Sequence, residues 1–207
     1  MRDIRQTKKF KEELGMLKIK KYWESFVPGF EPSERPDWIN LQASIGIEIT
    51  QAMHKREGEV LNLLSTHAGK QEDQLPPTLL NRYEGQLFYN EDEKLVGVSN
   101  TKGLCNSSVF LERLISSINC KIEKLQTYQI FDTNLLYVFY SFYFLNYEVD
   151  NFTSQIFREK EPGKRYFNII VVDDNESLFF FNIDTRKYQK IDVLDNANLI
   201  KAVEKLI

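Results

Sequence analysis

Seventeen of the 27 aromatic residues fall between Tyr128 and Tyr188. So dense a run of Phe and Tyr fits the pleated, half-buried surface of strands, where aromatic side chains fill a core. Stacking platforms for nucleic-acid bases are the other use of such density. On the core reading, this half of the chain holds the main sheet strands. The longest aromatic-apolar run, Leu135 to Leu145, is about half the length of a membrane span. With 207 residues, the chain has the size of one domain with room for an insertion. Gly and Pro together number only 15, which excludes collagen-like and linker-dominated architectures.

Hydrophobic periodicity supplies the element order. Residues 8–26 are rich in helix formers and stop before Val27-Pro28-Gly29. Their apolar residues change side midway, as in a helix covered on two sides or kinked near Gly15. Two short strands follow, Trp38–Leu41 and Ile45–Thr50, the second alternating isoleucines with Gly46, Glu48 and Thr50. A helix is expected over 52–66, weakened by Gly58. From about 68 to 105 the chain is polar and reads as an insertion containing a hairpin, Gln86–Tyr89 with Leu95–Ser99. It is too short to bury a core of its own. Leu111, Leu114, Ile115, Ile118, Ile122 and Leu125 mark a helix over 107–127. Strands are expected over 135–145, 166–172 and 178–183, and helices over 149–159 and 197–206. The four residues Asp173-Asp174-Asn175-Glu176 read as a solvated turn. The fold class is therefore α/β, one domain over 1–207, with helices packed on a sheet.

Charge and cysteine content narrow the function. Residues 1–21 carry eight basic and three acidic residues, while the whole chain has a net charge of −3. The basic segment reads as a solvated, Lys-rich helix face or as an arm for phosphates. Cys105 and Cys120 form neither a disulfide framework nor a zinc cluster. The N-terminus has no apolar stretch for secretion, so a reduced, cytoplasmic protein is expected. His54 and His67 lack the i, i+4 spacing of a helical zinc site, and no nucleophile elbow or phosphate-cradling glycine loop is present.

The segment with chemical content is Asp37 followed, across a strand turn, by Glu48. If the two strands are antiparallel neighbours, Glu48 lies across from Asp37. A carboxylate between isoleucines is costly to bury unless it is paired or bound to a cation. Two carboxylates converging from adjacent strands offer the hard oxygen ligands that Mg²⁺ prefers.

The stretch Arg35-Pro36-Asp37-Trp38-Ile39, then Ile45-Gly46-Ile47-Glu48-Ile49-Thr50, resembles the PD-(D/E)XK nuclease superfamily, in particular its small bacterial and phage-type members. The charged helix ahead of the motif, and the helix ending Lys121-Ile122-Glu123-Lys124-Leu125-Gln126-Thr127-Tyr128, extend the resemblance. It implies a restriction-endonuclease-like mixed β-sheet flanked by helices, with the Asp37–Thr50 hairpin near its centre. It further implies metal-dependent hydrolysis of DNA phosphodiesters. Asp37, Glu48 and the Ile49 carbonyl would be ligands for Mg²⁺, or for Mn²⁺ in its place. Glu24 would be the helix glutamate that orients a metal-bound water, with Glu13 as the weaker choice.

The superfamily's lysine, two residues after the glutamate, is Thr50 here. The resemblance then places the missing cation on a neighbouring element, with Lys55 first and Lys20 or Lys21 next, while Gln51 could orient the water. The alternative is a nuclease-like fold without catalysis, acting as a nucleic-acid-binding or protein-interaction module. A homodimer is the common assembly among such proteins, and no membrane partner is expected.

Overall fold

The computed structural model describes residues 7–52, 63–64, 66–98, 107–140, 144–158 and 160–207. The chain divides into two compact units, Met1–Ala52 with Val109–Ile207, and Met53–Ser108. The larger unit holds helix α1 (Lys8–Tyr22) and strands β1 (Glu31–Pro32), β2 (Trp38–Asn40) and β3 (Ile45–Ala52). The smaller unit holds α2 (Pro77–Arg82) and the hairpin strands β4 (Leu87–Tyr89) and β5 (Leu95–Val98). Then come α3 (Ser107–Leu125), β6 (Thr133–Tyr140), α4 (Asn146–Ile156), β7 (Ile169–Asp173), β8 (Ser177–Asn182), β9 (Lys187–Asp192) and α5 (Asn196–Glu204).

The α/β class stands. A mixed seven-stranded sheet has the order β1-β2-β3-β6-β7-β8-β9. β3, β6 and β7 are parallel neighbours, and the remaining pairs are antiparallel. β6 lies at the centre because its run Asn134–Tyr140 is apolar enough to be buried on both faces. The hairpin carrying Asp37 and Glu48 is displaced toward one edge rather than central, since only β1 lies beyond β2.

Strand alternation divides the core. Ile45, Ile47, Ile49, Tyr137 and Val171 face Phe10, Leu14 and Ile19 of α1 and Val203 of α5. Ala52, Leu136, Val138, Ile170 and Val172 face Leu111, Leu114, Ile118 and Ile122 of α3 and Phe152 of α4. The aromatic density does fill a core on this second face. Phe144 packs edge-on against Phe152 and Phe179, with ring centroids 5.4 and 5.1 Å apart.

α1 begins with Thr7, whose hydroxyl accepts from the Phe10 N–H at 3.2 Å. It runs unbroken through Gly15 and is covered on two sides, by the sheet and by α5. A Cβ on Gly15 would sit 3.1 Å from Ile49 Cδ1, so the glycine lets the helix backbone approach β3 closely. The helix ends at Tyr22, four residues before its expected end. Trp23 is already extended, and Trp23, Phe26 and Phe30 fold back onto the same apolar cluster.

The smaller unit has an apolar cluster of Leu63, Leu75, Tyr83 and Leu95, so the polar insertion expected at about 68–105 belongs to a wider segment with its own small core. Most of the helix expected over 52–66 lies outside the described residues, as do His54 and Lys55. Among the described residues, no helix is long and apolar enough to cross a membrane.

Candidate functional site

β2 pairs only with Ile45, Gly46 and Ile47, so β3 continues from Glu48 to Ala52 past the end of its outer neighbour. Asp37, the residue ahead of β2, covers that open edge. Its Oδ2 accepts from the Ile49 N–H at 2.8 Å. A residue in an extended strand turns its N–H and C=O to the same edge, so the Ile49 carbonyl faces the Asp37 side too.

Gly46 makes this approach feasible. A Cβ there would lie 2.8 Å from both the Pro36 ring and the Phe131 ring, closer than packed carbons come. The glycine lets Pro36, and with it Asp37, lie against β3.

Both carboxylates are buried, with Asp37 5% and Glu48 4% exposed. Asp37 Oδ1 accepts from Lys8 Nζ at 3.1 Å, and the same ammonium is 2.7 Å from Glu12. Glu48 points to the α3 face, where Lys121 Nζ pairs with it and the Tyr128 hydroxyl donates to it at 3.2 Å. On the α1 face, Lys11 Nζ donates to Gln51 Oε1. Four elements thus bring Lys8, Lys11, Glu12, Asp37, Glu48, Gln51, Lys121 and Tyr128 to one open stretch of strand.

Burial, and then the negative charge of Asp37, hold the Glu48 carboxyl above the ordinary glutamate range, with Lys121 and Tyr128 opposing. Glu12 is raised by burial and by its proximity to Asp37, with Lys8 opposing. The Tyr128 hydroxyl is pushed up to about 12 by burial and by Glu48. Burial lowers Lys11. Lys8 is raised, chiefly through its hydrogen bond to Glu12.

The expected helix carboxylates are placed otherwise. Glu24 lies past the C-terminal end of α1, where the Gln189 side-chain amide on β9 donates to it at 3.4 Å. A helix of fifteen residues separates that end from Lys8, roughly 20 Å at 1.5 Å per residue. Glu12, rather than Glu13 or Glu24, is the α1 carboxylate beside Asp37. Lys20 and Lys21 lie at the same far end, Lys21 paired with Asp195. Thr50 shares the face of Glu48 and Ala52, toward α3, and supplies no charge. The cation there comes instead from Lys121. The sequence reading missed Lys8, Lys11, Glu12, Lys121 and Tyr128 as site residues. The i, i+4 pair Lys8–Glu12 was visible in it as a charge pattern, whereas contacts across 73 and 80 residues leave no local signal.

Among the described residues, no group of three or more His, Cys, Asp and Glu side chains is arranged to hold a metal ion. Two carboxylates and a backbone carbonyl are nonetheless the short oxygen donor set that Mg²⁺ uses, since it keeps several waters. No family model matches the chain, and neither a curated protein nor a solved structure does.

Proposed function

We propose that this protein is a metal-dependent nuclease hydrolysing DNA phosphodiester bonds. The observation that carries the reading is the pairing of Asp37 and Glu48, two buried carboxylates on an unpaired strand edge, with lysines from two different helices. Asp37, Glu48 and the Ile49 carbonyl would hold Mg²⁺ or Mn²⁺. When bound, the ion would polarise the phosphodiester and acidify an attacking water.

The chain's own groups do the rest. Lys8 and Lys121 neutralise the carboxylates in the absence of a cation. Once released from them, their ammonium groups can face phosphate oxygens. Glu12, whose carboxyl pKa is raised by burial, is placed beside Asp37 to accept a proton from water. Tyr128 keeps its proton and holds Glu48 oriented through its hydroxyl.

Calorimetry with Mg²⁺ and Mn²⁺ on wild type, Asp37→Asn and Glu48→Gln, alongside plasmid nicking, tests the proposal. Binding and nicking are expected in the wild type and lost in both variants. Nicking that survives both substitutions overturns the proposal. A second reading, a binding module on the same fold, is favoured by Thr50, which leaves β3 without a lysine. Cation binding without nicking is its signature.

Lys121 can be tested separately. Lys121→Met removes the competitor for Glu48, so divalent-cation binding is expected to persist or tighten. Cleavage should fall about 10²- to 10³-fold, the usual cost of one electrostatic contact to the reacting group. Adding Thr50→Lys returns a cation to the same face, and a recovery of at least tenfold is expected. Cleavage by Lys121→Met at the wild-type rate removes Lys121 from the mechanism.

A further inference from the structure

Lys18 and Asp173 are both completely buried and ion-paired at 2.7 Å. The Tyr137 hydroxyl donates to the same carboxylate oxygen at 2.5 Å, and the Asn175 N–H donates to the other at 2.9 Å. This cluster lies under α1, in the apolar layer of Ile19, Val171 and Leu178. Asp173 ends β7, two strands along from β3, whose open stretch carries the site.

α1 therefore touches the sheet through polar groups at two separated points. Lys8, Lys11 and Glu12 reach Asp37 and Gln51 at one end, and Lys18 reaches Asp173 further along. Between them Gly15 brings the backbone against Ile49 and Tyr137. The buried apolar residues of the helix, Phe10, Leu14, Met16 and Ile19, do not form one continuous stripe. Apolar contacts of this kind are non-directional and tolerate rotation and sliding. An ion pair in a low-dielectric layer does not, because a displaced ammonium leaves two charges buried without partners. Sliding by one residue moves a helix about 1.5 Å and turns it about 100°. Lys8 could not then stay on Asp37.

We propose that the Lys18–Asp173–Tyr137 cluster is a pin that sets the register of α1 on the sheet and thereby positions Lys8, Lys11 and Glu12 at the Asp37 edge. Burial and the Asp173 charge keep the Tyr137 hydroxyl protonated as a donor. These are positioning residues, and their bearing on catalysis rests on the nuclease reading given above.

The test is an all-apolar replacement, Lys18→Met with Tyr137→Phe and Asp173→Val. It leaves no buried side chain without a partner, and the Asn175 N–H it frees is on an exposed residue. The variant is expected to unfold cooperatively at or above the wild-type temperature. In it, the nuclear Overhauser contact between the Gly15 α-protons and the Ile49 δ-methyl, which reports the seating of α1 on β3, is expected to weaken or vanish. Cleavage should fall at least tenfold in kcat with KM little changed.

A variant that keeps the Gly15–Ile49 contact and cleaves within twofold of wild type overturns the pin. If the wild type itself does not cleave, the nuclease reading fails, and the Gly15–Ile49 contact alone decides the pin. Native-state hydrogen exchange on the wild type covers the case of a variant that does not fold. The amides of Leu14 to Ile19 are expected to open together with those of β7. Opening of α1 at much lower free energy, with β7 still protected, overturns the proposal.

Discussion

Lys18→Met alone is expected to cost about 3–5 kcal/mol of folding stability, the range for removing one partner of a buried ion pair. The shape of the side chain is nearly kept, so the loss is electrostatic. Asp173 stays in a layer with no solvent, and two neutral donors, Tyr137 O–H and Asn175 N–H, must hold its charge. For a domain whose total stability is about 5–15 kcal/mol, this is a large fraction. Urea unfolding followed by circular dichroism measures it. A loss below about 1 kcal/mol would mean that the pair contributes nothing a methionine cannot. The apolar triple variant should recover the whole of the loss, since replacing both charges avoids the stranded carboxylate.

Glu48→Gln is expected to remove divalent-cation binding and cleavage while raising the melting temperature at neutral pH. The sign follows from linkage. The folded-state pKa of Glu48 is raised by burial and by Asp37, so the native protein binds its proton more readily than the unfolded chain does. The stability gained from the protonated form is full below the unfolded value and lost as pH rises through the folded one. Above that point ionised Glu48 costs stability, and an amide resembles the protonated state while still accepting from Lys121 and Tyr128. Scanning calorimetry between pH 8 and pH 4 should show the variant melting above wild type, with the gap closing as the pH falls. In the wild type, cation binding should weaken on acidification from a higher pH than an ordinary glutamate would give. A variant that melts below wild type at pH 8 would show that ionised Glu48 earns its place through Lys121.

The parts of the fold that were legible are those with strong periodicity. The α3 stripe, the alternating isoleucines of β3 and the β4–β5 hairpin all stand close to their expected positions. β9 was missed, since Lys187-Tyr188-Gln189-Lys190-Ile191-Asp192 is an exposed edge strand whose lysines guard it against further pairing. The turn at Asp173-Asp174-Asn175-Glu176 is not solvated at its start. Asp173 and Asp174 are buried, one on Lys18 and the other accepting from the N–H groups of Phe144, Glu176 and Ser177. Composition marks such residues as polar, but only tertiary contacts decide whether they are wet.

At the site, Asp37 and Glu48 could be singled out because both lie within one hairpin. The cations could not, because α3 reaches Glu48 only after the intervening segment has been traversed. The α1 carboxylate at the site is Glu12, one turn from Lys8, rather than Glu24 past the helix end. The side of the site to which α1 delivers charge is fixed by Gly15 and Lys18, neither of which announces its role locally.

Gly46 separates the history of the motif from that of its chemistry. The space its missing side chain leaves is taken by Pro36 and Phe131, so packing alone would select against larger residues there, whatever became of the chemistry. A descendant that had lost Lys121, or Glu48 itself, would still be held to Ile-Gly-Ile on this strand. The persistence of that tripeptide in any copy of this fold would report the crossing of two backbones, and activity would have to be judged from the charges around it.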